Sequence, residues 1–63
     1  MKEDWVIVLE TAEQSKAFLL KSLLQTNRVE CYILVSARPQ KIYKVYVPSD
    51  KVEESMMLLR QRA

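Results

Sequence analysis

The stretch Ile42-Tyr43-Lys44-Val45-Tyr46-Val47-Pro48-Ser49-Asp50, with Val52-Glu53-Glu54-Ser55-Met56-Met57-Leu58-Leu59 behind it, decides the fold. Residues 41–47 alternate with the period of a strand: Tyr43, Val45 and Val47 fall on one face, Ile42, Lys44 and Tyr46 on the other. Pro48 has no N–H to donate and ends the ladder. Ser49 or Asp50 then stands where a helix cap belongs, and Asp50 with Glu53 has capping-box spacing. Val52, Ser55, Met56 and Leu59 share the inner face of the helix that follows, with Leu58 beside them. Glu53 and Glu54 at its start, and Arg60 and Arg62 at its end, suit the helix dipole.

Upstream, residues 29–36 also alternate. Val29, Cys31, Ile33 and Val35 form the core face, and Glu30, Tyr32, Leu34 and Ser36 the other. Only Ala37-Arg38-Pro39-Gln40 separates this run from the next, so the two strands form an antiparallel hairpin, with Pro39 setting the turn. Before it lies a helix. Thr11 is placed as its N-cap with Gln14 completing a capping box, and Glu10 and Glu13 add favourable charge. Ala17, Leu20, Leu23 and Leu24 make its apolar stripe, Leu19 flanks it, and Phe18 falls opposite. The helix ends near Gln25 or Thr26, with Asn27 in the position that favours a left-handed backbone. First in the chain is Trp5-Val6-Ile7-Val8-Leu9, a short β-branched and aromatic strand with apolar residues on both faces.

The order is β-α-β-β-α in one domain over residues 1–63. Two helices on one face of a three-stranded sheet would bury these stripes. A β-α-β crossover leaves a gap that the third strand fills, giving order 1-3-2. That is an α+β, ferredoxin-like split arrangement with an antiparallel or mixed sheet.

Composition narrows the chemistry. A chain of 63 residues buries only about 60% of its unfolded surface, so its core is thin. Cys31 is the sole cysteine and there is no histidine, so an internal disulfide is impossible and metal ligands are poor. No cofactor is expected, and association with a second copy is the remaining aid to stability. The net charge of +2 comes from 10 basic and 8 acidic residues that are interspersed, which is no polyanion-binding signature. The absence of glycine removes phosphate-cradling loops and glycine-dependent tight turns. No apolar run exceeds five residues, far short of the ~18 of a membrane span. Met1-Lys2-Glu3-Asp4-Trp5 lacks the plan of a secretory signal, and with a free thiol this points to the cytoplasm.

Three places carry a family likeness: Trp5-Val6-Ile7-Val8, the helix from Lys16-Ala17 to Leu23-Leu24 ending near Asn27 and Val29, and Tyr46-Val47-Pro48 with its acidic helix start and Leu58-Leu59 pair. Together they resemble a family of short prokaryotic domains of unknown function described as signal-transducing proteins. The likeness spans nearly the whole chain. It implies a ferredoxin-like fold and a regulatory role, and it brings no catalytic residues. Where that family often has glycine before the second strand, this chain has Asn27-Arg28, and its usual longer hairpin loop is cut to Ala37-Arg38-Pro39-Gln40.

Catalysis is not expected. Cys31 has no histidine to activate it and lies on an apolar strand face. Glu53 and Glu54 diverge on their helix, and Glu10 and Glu13 suit the helix start. The second sheet face is more informative. Tyr32, Leu34, Ile42, Lys44 and Tyr46 point away from the helices, joined by one face of strand 1, either Trp5, Ile7 and Leu9 or Val6 and Val8. A solvent-facing sheet is normally more polar; the competing readings are a contact surface, and an ordinary surface covered by tyrosines and the aliphatic stem of Lys44. Strand 1 is also an uncharged sheet edge open to pairing. The expected function is therefore binding of a protein or small ligand, with self-association as a homodimer, through Val6, Val8, Tyr32, Leu34, Lys44 and Tyr46. The alternative is a weak single-stranded RNA-binding face using Arg38, Lys41, Tyr43, Lys44 and Tyr46.

Overall fold

The structure, a computed structural model, describes residues 4–62. Residues 1–3, Ala63 and the Arg62 side chain lie outside the described residues, and so do the leader reading at residues 1–3 and the dipole role of Arg62. The elements are β1 (Trp5–Thr11), α1 (Gln14–Thr26), β2 (Tyr32–Ser36), β3 (Ile42–Pro48), a short 3₁₀ turn (Ser49–Lys51) and α2 (Val52–Arg62). The sheet has order β1-β3-β2, and both pairings are antiparallel. This is the α+β split arrangement expected, ferredoxin-like, with no parallel pair among the described residues.

β3 lies at the centre, in the gap that the β1-α1-β2 crossover leaves, and its burial alternates along the strand. Tyr43, Val45 and Val47 are buried and meet Ala17, Leu20 and Leu24 of α1, with Val8 and Val29 completing the core. Full burial of a Val or Leu side chain is worth about 1.5–3 kcal/mol, and these few residues carry most of that term. On α1 the expected stripe is buried at Ala17, Leu20 and Leu24 and half-buried at Leu23, while Phe18 and Leu19 are exposed. On α2, Ser55 is fully buried and Val52, Leu58 and Leu59 are half-buried. Met56, expected on that inner face, is exposed instead. With Ser55 at the centre of the contact, the next residue is turned about 100° away. The molecule is a slab with extents of 31 × 31 × 15 Å, one helix layer on one sheet.

Four local features depart from expectation. First, the β1–β3 register shifts between Ile7 and Leu9: Val6 is opposite Val47, Ile7 opposite Tyr46, then Leu9 opposite Val45. Val8 is the extra residue of a β-bulge, and it turns into the core. Second, the capping box on α1 does not form. Thr11 stays in β1 opposite Tyr43, its Oγ1 accepts the Glu13 N–H at 3.1 Å, and the cap position falls to Glu13 with no side-chain bond.

Third, the left-handed residue is Arg28 (φ 61°), not Asn27 (φ −95°). The Val29 N–H donates to the Leu24 carbonyl at 2.9 Å and the Arg28 N–H to Gln25 at 3.0 Å, which is a Schellman stop. Asn27 Nδ2 donates to the Leu23 carbonyl at 2.9 Å, satisfying another helix-end acceptor. Because Val29 is held in that stop, β2 begins at Tyr32 rather than at residue 29. Fourth, neither Ser49 nor Asp50 caps α2 with its side chain among the described residues. The Ser49 N–H donates to the Asp4 carbonyl at 2.8 Å, extending the β1–β3 ladder, and the 3₁₀ turn separates Pro48 from α2.

Candidate interaction surface

The sheet face opposite the helices is built by cross-strand register. Tyr32 is opposite Tyr46, Leu34 opposite Lys44, and Ser36 opposite Ile42. On the other side Ile7 meets Tyr46, Glu10 meets Lys44, and Trp5 meets Pro48. Trp5, Ile7 and Tyr32 are each 38% exposed and Leu34 is 50% exposed, so the apolar part of this face is uncovered, with Glu10 and Lys44 beside it.

Its centre is aromatic. The rings of Tyr32 and Tyr46 are stacked, 12° from parallel with centroids 4.8 Å apart. The Trp5 indole reaches diagonally across β3 and meets Tyr32 edge-on, with centroids 4.9 Å apart. Two rings lying flat on the sheet would collide at 4.8 Å, so Tyr32 and Tyr46 stand upright and share their faces with each other. The surface they offer outward is a ridge of ring edges and hydroxyls.

Of the residues placed on this surface from sequence, Tyr32, Leu34, Lys44 and Tyr46 do come together. Val6 and Val8 do not. Val8 is in the core, and Val6 is in register with Val47, on the helix side. The face of β1 that joins the patch is Trp5 and Ile7; the bulge sends Leu9 to the other side opposite Val45. Of the alternative set, Arg38 and Lys41 are exposed in the hairpin loop. Tyr43, however, is buried on the helix side, with its ring 6.4 Å from that of Phe18, and cannot share a platform with Tyr46. The Tyr32–Tyr46 stack was open to discovery from sequence, since the two residues are equidistant from Pro39 at the hairpin tip.

Cys31 precedes β2 and is half-buried against the core. Its Sγ lies 3.9 Å from the Lys21 carbonyl. Burial pushes the thiol pKa up from its ordinary value, and the positive charge of Lys21 pulls it partly back. No group of three or more His, Cys, Asp or Glu side chains among the described residues could hold a metal ion. A shallow depression beside Met57, Arg60 and Gln61 is open to solvent. No helix among the described residues is long and apolar enough to cross a membrane. Comparison with family models, curated proteins and solved structures finds no match for this chain.

Proposed function

We propose that this chain is a small cytoplasmic binding domain with no catalytic role, which self-associates through the Leu34 side of its open sheet face. The observation that supports this is the uncovered apolar face itself: Trp5, Ile7, Tyr32 and Leu34 exposed around a stacked Tyr32–Tyr46 pair. Apolar patches of this kind on small domains mark contact surfaces. Upright rings stacked on each other present edges rather than a flat platform outward, which favours a protein surface over base stacking. The regulatory role implied by the family likeness fits a domain that acts by binding alone.

Sedimentation or native mass measurement over the micromolar range tests the reading. The wild type is expected to dimerise with rising concentration. Leu34→Glu, a substitution at an exposed position, is expected to leave a folded monomer. A wild type that stays monomeric throughout overturns self-association. Salt-sensitive binding to single-stranded RNA at low salt would transfer the face to the nucleic-acid reading.

A further inference from the structure

We propose that two copies of this chain join along the free edge of β2, antiparallel and centred on Leu34, so that their sheets merge into one six-stranded sheet, three strands from each. The pairing rests on the self-association reading above and specifies its geometry.

β2 pairs with β3 only, so its outer edge presents unpaired backbone N–H and C=O groups. The two edges of this sheet are not alike. β1 carries a bulge at Val8 and a charge at Glu10, both devices that discourage a second strand. β2, Tyr32-Ile33-Leu34-Val35-Ser36, has no charge, no proline and no register shift. Leu34 and Val35 point to opposite faces and each is 50% exposed, so neither the helix layer nor anything on the open face covers this edge.

Charge selects both the occupant and the register. Glu30 and Arg38 each lie four residues from Leu34 in sequence, just outside the two ends of β2, and both are exposed. Neither is in an ion pair among the described residues, where Lys51–Glu54 is the one found. A two-fold axis through Leu34 brings Glu30 of each copy to the end of the paired strands where Arg38 of the other lies, twice over. Ile33 then faces Val35 of the second copy, and Tyr32 faces Ser36. Centring on Ile33 would instead oppose Arg38 to Arg28. Centring on Val35 would leave Glu30 facing Gln40 and Arg38 facing Tyr32. Only the Leu34 centre closes the strand on itself with unlike charges at both ends. The axis stands perpendicular to the sheet, so both helix layers lie on one side. The two Trp5–Tyr32–Tyr46 clusters lie together on the other.

The test is sedimentation equilibrium on Glu30→Arg, Arg38→Glu and the double variant, all at exposed positions. Each single reversal sets like charges opposite at two symmetric places and is expected to weaken the dimer roughly tenfold. The double reversal is expected to restore wild-type affinity. Hydrogen exchange should show β2 amides that become protected as concentration rises and stay unprotected in a Leu34→Glu monomer. Tyr46→Glu, on the central strand, is expected to leave the dimer intact. A dimer lost with Leu34→Glu but indifferent to both charge reversals would leave self-association standing and overturn this pairing. A dimer dissolved by Tyr46→Glu would do the same by placing the contact on the aromatic centre of the open face instead of along the β2 edge. A strictly monomeric wild type overturns both.

Discussion

Tyr32 and Tyr46 face each other across the β2–β3 ladder with their rings 12° from parallel and 4.8 Å apart, and this pair ties an edge strand to the central one. Stacked aromatic pairs contribute about 0.5–1.5 kcal/mol beyond the area they bury. A double-mutant cycle of Tyr32→Leu and Tyr46→Leu, read by urea unfolding at one fixed protein concentration, should return a coupling in that range. Strict additivity would mean the rings touch without supporting each other.

Arg28 sits at φ 61° to close α1, a conformation that costs a non-glycine residue about 1–2 kcal/mol. Arg28→Gly should therefore stabilise the fold by about 0.5–1 kcal/mol, because the greater freedom of glycine in the unfolded chain offsets part of the gain. Arg28→Val should move the denaturation midpoint the other way, since β-branching makes the left-handed region worse still. Loss of stability on Arg28→Gly would show that the arginine side chain makes a compensating contact.

Ser55 is fully buried on α2, and its Oγ donates to the Lys51 carbonyl at 2.8 Å. A small residue there lets the helix approach the sheet. Ser55→Ala keeps the size and should change stability by no more than about 1 kcal/mol, the net worth of one hydrogen bond. Ser55→Leu overfills the contact and should cost about 1–3 kcal/mol. Thermal melts of the two variants separate packing from hydrogen bonding, and equal losses would show that the hydroxyl matters more than the space.

What could be read from the residues, and what could not, divides along physical lines. Alternation in residues 29–36 and 41–47, and the Ala17-Leu20-Leu24 stripe, are periodic signals, and they carried the element order, the sheet order and most of the core. The bulge at Val8 leaves no such trace. Trp5-Val6-Ile7-Val8-Leu9 is apolar at every position, so a one-residue slip costs nothing in pattern while it reverses which side faces the helices. That is why Val6 and Val8 were expected on the patch where Trp5 and Ile7 stand. The left-handed stop was displaced for a similar reason. With no glycine to mark it, Asn27 is the better candidate by type, yet the Leu24 and Gln25 carbonyls are reached only if Arg28 turns. At the two helix starts, side chains with good capping chemistry were present but the backbone had other uses. Thr11 is held in β1 opposite Tyr43, and the Ser49 N–H is bonded to Asp4. Tyr43 looked available to a nucleic acid by composition, while its place on the buried face of β3 was already fixed by the alternation.

Cys31 gives the fold a pH dependence with a definite sign. Burial raises its thiol pKa above the ordinary value, with Lys21 opposing in part, so the native state keeps the thiol proton to higher pH than the unfolded chain does. Below the ordinary thiol pKa both states are protonated and the contribution of the buried neutral thiol is fully present. As pH rises past that value the unfolded chain loses its proton first, the unfolded state binds fewer protons, and stability falls until the native thiol has titrated as well. The quantity to measure is the difference between wild type and Cys31→Ala, which isolates the thiol. Urea midpoints at neutral and alkaline pH should show the wild type losing its advantage as pH rises. The same shift leaves little thiolate at neutral pH, so alkylation of Cys31 in the native protein should run slower than in urea. A wild-type-minus-variant difference that does not change with pH, together with alkylation as fast as in the unfolded chain, would show the thiol to be solvated rather than packed beneath β2.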